Sequence, residues 1–139
     1  MKDNNTWVEL ARLPVAKIQD VLLARFVGRD EAIKMGFAPA VLTRVATGIS
    51  EISRNVVQHA GCAGEIQIGK CIEGDKFVLR IIVSDKGKGI DQPERFLDGK
   101  LGTLGAGLAG TRRLADHFDL QSVPDQGTTV TMEFWKRGM

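Results

Sequence analysis

The chain has no apolar run approaching the ~20 residues that a membrane-spanning helix requires, and its opening Met-Lys-Asp-Asn-Asn-Thr is polar, without the apolar core of a signal peptide. A membrane span is therefore not expected, and a cytoplasmic location is. Cysteine is scarce: Cys62 and Cys71 fall in an expected loop and an expected strand, at a spacing that matches no zinc motif, so both read as free thiols. Histidine is equally scarce, and His59, near the end of an expected helix, reads as a C-terminal cation or polar cap. Charge of one sign is lacking too. The 19 Lys and Arg offset 17 Asp and Glu, and the basic residues are scattered, which argues against nucleic acid as a partner. There is no internal repeat, low-complexity tract or linker, so residues 1–139 are expected to form one domain, long enough to bury about two-thirds of the unfolded surface.

What is present is a regular alternation of strand and helix patterns. Trp7 to Val15 reads as a strand, at an edge because of Pro14. Asp20 to Met35 has helical spacing, with Asp20 as the expected N-cap, Gly36 as the stop and Gly28 as an expected weak point. From Pro39 to Ala60 the residues Leu42, Val45, Ile49, Ile52 and Val56 recur at three and four, the mark of an amphipathic helix. Glu65 to Ile72 and Lys76 to Ser84 alternate around Glu73-Gly74-Asp75 and predict a hairpin. Glu94 to Gly107 is glycine-containing and weakly periodic, with one helical turn expected at Pro93 to Leu97. A helix is expected from about Leu108 to His117, with Leu108, Thr111, Leu114, Ala115 and Phe118 facing inward. Asp119 to Val123 and Thr128 to Trp135 then predict two strands around Pro124-Asp125-Gln126-Gly127. The hairpins imply mainly antiparallel pairing, and three helices must cover the apolar face: a two-layer α+β sandwich.

Three constellations carry chemistry. In the strand before Asp85, the residues Phe77, Leu79, Ile81 and Val83 share a face, and Asp85 falls on it. An unpartnered buried charge costs several kcal/mol, so this carboxylate calls for a donor such as an exocyclic amine, with Gly87 and Gly89 letting a flat ring lie close. Thr128 shares the inward face of the last strand with Val130, Met132 and Phe134. Glu51 and Asn55 stack one turn apart on the long helix. The amide oxygen suits a Mg²⁺ that keeps its waters and binds phosphate, and the carboxylate can take a proton. Gly105-Ala106-Gly107-Leu108-Ala109-Gly110 satisfies Gly-x-Gly-x-x-Gly, but it follows a loop and not a strand, which argues against a dinucleotide fold. A helix N-terminus with unpaired N–H groups that favours an anion remains. Each has a plainer reading: a strand-ending turn, a solvated helix face, a flexible cap.

In this order the pieces resemble the GHKL ATPases, or Bergerat fold. The N box reads Glu51-Ile-Ser-Arg-Asn55, the first glycine box Asp85-Lys-Gly-Lys-Gly89-Ile90, the second Gly105-Ala-Gly107-Leu-Ala-Gly110, and the last Gly127-Thr128-Thr-Val. Within that superfamily the chain is similar to the small anti-sigma and switch serine-protein kinases, including those of the stressosome. The resemblance implies a mixed, mainly antiparallel sheet, ATP and Mg²⁺ as cofactors, and a serine or threonine on a STAS-domain partner as acceptor. It also implies Glu51 as general base, Asn55 as Mg²⁺ ligand, Asp85 and Thr128 as adenine readers, and Gly105 to Gly110 as phosphate cradle and hinge of an ATP lid at about 91–107. Gly87, Gly89 and Ile90 would line the nucleotide, and Lys100 would be either a γ-phosphate contact or a solvated lysine. A downstream phosphatase or sigma factor as partner, and a homodimer, are arrangements the resemblance admits. Two features depart from it: Lys88 stands where many relatives carry proline, and the expected lid lacks a serine-rich stretch. Two rival readings remain. One is a nucleotide-responsive binder that sequesters its partner; the other is an ATPase module detached from a histidine kinase, whose phosphoacceptor histidine would lie on a dimerisation helix.

Overall fold

A computed structural model of the chain describes residues 7–90 and 110–137. Strand β1, Val8–Val15, leads into helix α1, Ile18–Lys34, and helix α2, Pro39–Asn55, which continues as a π-helical turn, Val56–Ala60. The strands β2, Gly64–Glu73, and β3, Lys76–Asp85, follow, and β4, His117–Val123, and β5, Gly127–Arg137, close the fold.

Helix α1 starts earlier than its sequence suggests. Lys17 is the N-cap and Asp20 lies at the third helical position, its Oδ2 accepting from the N–H groups of Ala16 at 2.8 Å and Lys17 at 3.1 Å. The carboxylate thus caps from inside the first turn. Gly28 does not break the helix, because it is where α2 comes closest: a Cβ there would stand 2.1 Å from Ile49 Cδ1. The buried face of α1 is made of Val21, Ala24, Gly28 and Ala32, small enough for this approach, while Leu22 and Phe26 point outward, Phe26 being 68% exposed. Gly36, at φ +86, ends the turn after α1.

Helix α2 buries Leu42, Val45, Ile49, Ile52 and Val56, the stripe read from its spacing. Gly48 lets the helix settle on the sheet, since a Cβ there would meet Met132 Sδ at 3.0 Å. The α-helical ladder expected to reach Ala60 widens at Val56 into the π turn and stops at Gly61, at φ +81.

The sheet order is β1-β2-β3-β5-β4, with β1 at an edge. All four pairings are antiparallel, so the sheet is not mixed among the described residues. Ile66, Ile68, Leu79, Ile81, Met132 and Phe134 form the helix-facing core. Phe77, expected inward, is 36% exposed at the far end of β3, with Lys136 Nζ 5.7 Å from its ring centre. The last helical stretch also ends earlier than expected, at residue 114. Asp116 already pairs with the β5 strand through its N–H to Glu133 O at 2.9 Å, so His117 and Phe118 are strand residues and not the end of a helix.

Candidate functional site

Asp85 ends β3 and is flanked in register by Gly64 on β2 and Thr128 on β5. A Cβ on Gly64 would lie 2.6 Å from Ser84 O, and one on Gly127, at φ +113, would lie 2.1 Å from Asp85 O. Glycines therefore let three backbones converge here. Thr128 is 6% exposed and on the core side, as its parity implied. Asp85 is half-buried, and its Oδ1 accepts from Gly87 N–H at 2.8 Å. Part of the donor requirement is thus met within the chain; Oδ2 has no donor among the described residues.

The loop after Asp85 is clamped on both sides. A Cβ on Gly87 would stand 2.1 Å from Ala60 O, the carbonyl that also accepts from Lys88 N–H at 3.2 Å. A Cβ on Gly89, at φ +73, would stand 2.3 Å from Val123 O, while Lys88 O accepts from Asp125 N–H at 2.7 Å. The close approach these two glycines permit is to the protein's own backbone: the end of the π turn and the β4–β5 turn. Ile90 follows into the core, 8% exposed.

Helix α2 brings Glu51 and Asn55 to its C-terminal end. Glu51 Oε2 lies 3.0 Å from Arg54 Nη1, both side chains part-exposed. Asn55 Oδ1 is buried without a hydrogen-bond partner among the described residues. An orphaned acceptor costs about 1–3 kcal/mol, an expense the fold accepts one residue before its π turn, a geometry common at functional sites. A carbonyl oxygen of this kind suits Mg²⁺, which takes few protein ligands and shares its shell with water and phosphate. No group of three His, Cys, Asp or Glu side chains that could hold a metal unaided occurs among the described residues. The π turn ties this end of α2 to the Asp85 loop through Ala60, whose carbonyl accepts from Lys88 N–H.

Lys100, Gly105, Ala106, Gly107, Leu108 and Ala109 lie outside the described residues, as do the expected lid at 91–107 and the turn at Pro93 to Leu97. Gly110 opens the helical residues 110–114, with no described atom within 4 Å of a Cβ placed on it. Thr111 is buried, and Ala115 packs against the core.

Sequence reasoning missed Gly64, Arg54 and above all Ser122. The Ser122 hydroxyl accepts from Ile90 N–H at 2.6 Å, donates to Gly127 O at 3.1 Å and lies 2.8 Å from Thr128 Oγ1. A signal for it existed. Phe118, Leu120 and Ser122 share the helix-facing side of β4, the same parity that flagged Thr128.

The family model described as Histidine kinase-like ATPase domain matches residues 7–134. The chain is 38% identical over 121 residues to the serine/threonine-protein kinase RsbT of Bacillus subtilis (strain 168), covering 85% of this chain and 90% of RsbT. It is 27% identical over 126 residues to the anti-sigma F factor of Thermoanaerobacter sp. (strain X514), covering 85% and 87%. Among solved structures it resembles the RsbU and RsbW domains of Rv1364c from Mycobacterium tuberculosis, with a TM-score of 0.61 at 19% identity. That likeness covers 92% of this chain and 34% of the longer one. A chain of the SiaB-SiaC complex from Pseudomonas aeruginosa matches with a TM-score of 0.56 at 12% identity, covering 92% and 91%. At these identities the solved structures speak for the fold, and the sequence matches speak for the family. The chain belongs to the histidine kinase-like, GHKL-type ATPase family.

Proposed function

We propose that the chain is an ATP- and Mg²⁺-dependent serine/threonine-protein kinase of the partner-switching type, acting in the cytoplasm on a STAS-domain protein. The observation that carries this reading is the buried Asn55 oxygen, without a partner among the described residues, one helical turn from the Glu51 carboxylate. A domain that only sequesters a partner needs neither. The 38% identity to RsbT supports the same activity.

Asp85 accepts a hydrogen bond from the exocyclic amine of adenine, and Thr128 contributes its hydroxyl beside it. Asn55 is the side chain that would hold Mg²⁺, and the bound ion supplies charge neutralisation on the phosphate oxygens. Glu51 takes the proton of the acceptor hydroxyl as its oxygen bonds to the γ-phosphorus and the bond to the ADP oxygen breaks. The family resemblance assigns Gly105 to Gly110 to the phosphates. Such chemistry depends on positioning and fixed charge, which one carboxylate on a rigid helix can provide.

A second reading, partner sequestration with slow transfer, has one observation in its favour. Helix α1 exposes Ile18, Leu22, Phe26 and Ile33, apolar surface that a partner could cover. The two are separated by incubating the chain with labelled ATP, Mg²⁺ and a STAS-domain partner captured from native cytosol. Acid-stable phosphate on that partner supports the kinase. Partner binding and full output by Asn55→Ala without ATP support sequestration.

A further inference from the structure

Glu51 is the only carboxylate on α2, and Arg54 takes one of its two oxygens, Nη1 lying 3.0 Å from Oε2. The other oxygen, Oε1, has no donor among the described residues. Arg54 stands three residues beyond Glu51 and Asn55 stands four, so all three share one stretch of helix surface. Two ordinary roles account poorly for this arginine. As a source of stability the pair is weak, because the side chains are 36% and 37% exposed and such ion pairs contribute little. As a cation on the helix dipole Arg54 comes too early. The helix runs on from Asn55 through the π turn to Ala60, and His59 holds the terminal position there. What the contact does restrict is the carboxylate itself. A glutamate on a helix surface samples several rotamers with a broad terminal torsion, and a planar guanidinium on Oε2 narrows that range while leaving Oε1 as the free acceptor.

We propose that Arg54 is a positioning residue for phosphoryl transfer: by holding Oε2 of Glu51 it aims Oε1 at the acceptor hydroxyl. The inference rests on the kinase reading above, in which Glu51 is the base. The hydroxyl proton passes to Oε1 as the acceptor oxygen bonds to the γ-phosphorus and the bond to the ADP oxygen breaks. Arg54 keeps all its protons throughout, since a guanidinium does not give them up in proteins. Its charge acts in the same direction as its hydrogen bond. ATP brings several negative charges to this end of α2, and an unpaired carboxylate is repelled by them toward solvent; the adjacent cation offsets that repulsion. Without Arg54 the carboxylate is present but turned away.

The test measures kcat and KM for transfer from γ-labelled ATP and Mg²⁺ to a STAS-domain partner captured from native cytosol, using the full chain. Parent and Arg54→Ala are compared, and the same pair is compared again on a Glu51→Ala background. Arg54→Ala is expected to lose about tenfold in kcat, the scale of one charge-assisted hydrogen bond, with KM for ATP unchanged. Calorimetry is expected to show the same ATP affinity, and melts of the ligand-free chain the same stability. On the Glu51→Ala background the loss of Arg54 is expected to cost nothing further, because no carboxylate remains to be positioned. If Arg54→Ala does not fold, Arg54→Met, of similar length and without a donor, takes its place in the cycle. Unchanged kcat in Arg54→Ala would reduce the pair to a solvated surface contact and overturn the proposal. An equal loss on both backgrounds would make Arg54 an independent contact to phosphate or partner, and would overturn it as well. Transfer by Glu51→Ala as fast as by the parent would instead overturn the base reading beneath it.

Discussion

Asp85 stands directly opposite Thr128 in the β3–β5 ladder, with both side chains on the helix-facing side of the sheet. The pair sits where the core gives way to the site: Val83 and Val130 beside it are buried and apolar, while Asp85 is half-open. Gly87 N–H satisfies one oxygen of Asp85 from within the chain at 2.8 Å.

Asp85→Asn keeps an oxygen for that N–H and should leave the fold intact. What it removes is the negative acceptor. Affinity for ATP should fall about 10- to 100-fold, the equivalent of a charge-assisted hydrogen bond. Calorimetry checks the affinity and a thermal melt checks the fold. Undiminished binding would return Asp85 to the role of a turn residue.

Asn55→Ala removes a buried oxygen that makes no hydrogen bond to the described residues. Most buried polar truncations destabilise, but here the ligand-free chain should melt at the same temperature or slightly higher. The dependence of ATP binding on Mg²⁺ should disappear. Nucleotide titrations with and without the metal, alongside melts of the ligand-free protein, separate the two effects.

Gly87 and Gly110 should respond oppositely to alanine. At Gly87 the new methyl would meet the Ala60 backbone carbonyl at 2.1 Å, which cannot rotate away, and the expected destabilisation is about 2 kcal/mol or more. At Gly110 no described atom stands in the way, so Gly110→Ala should be neutral to the fold or slightly stabilising. A loss of ATP affinity in Gly110→Ala without loss of stability would mark a ligand in that space.

Acid stability should depend on Glu133, on the helix-free face. Burial pushes its carboxyl up, but hydrogen bonds from the Trp135 indole at 2.9 Å and Arg80 at 2.7 Å, with the Arg80 charge, prevail and hold it below 4.5. A carboxyl with a depressed folded value stabilises fully above its unfolded value and loses that contribution as pH falls through the folded one. Melting temperature should therefore drop below about pH 4.5, more steeply in the parent than in Glu133→Gln. Melts across an acid pH series test this.

Much of the fold is legible in the sequence wherever one periodicity dominates. The α2 stripe and the Gly74-Asp75 hairpin are examples, because each buries one regular face. Helix α1 is not legible in this way. Its buried face consists of small residues, and its largest apolar side chains, Leu22 and Phe26, point to solvent, so spacing could not tell which side packs. The start of β4 is not legible in the sequence because pairing with β5 at Asp116 and Glu133 overrides local helix preference. At the site, Asp85, Asn55 and Thr128 stand out as residue types misplaced in apolar patterns. Gly64 and Ser122 gain their roles only from register with distant strands. The structure also gives Gly87 and Gly89 a reason that their spacing did not suggest, the backbone of Ala60 and Val123.

In the proposed reaction, the phosphoryl group passes from ATP to a partner hydroxyl with Glu51 as base. The most direct test is the rate at which the parent chain and Glu51→Gln label a STAS-domain partner from γ-labelled ATP and Mg²⁺, with ATP affinity measured in parallel. Acid-stable phosphoserine or phosphothreonine is expected with the parent chain. Glu51→Gln is expected to lose about 100-fold or more, the usual contribution of a general base, at nearly unchanged ATP affinity. Equal transfer by Glu51→Gln, or label found on an acid-labile histidine, would contradict this mechanism.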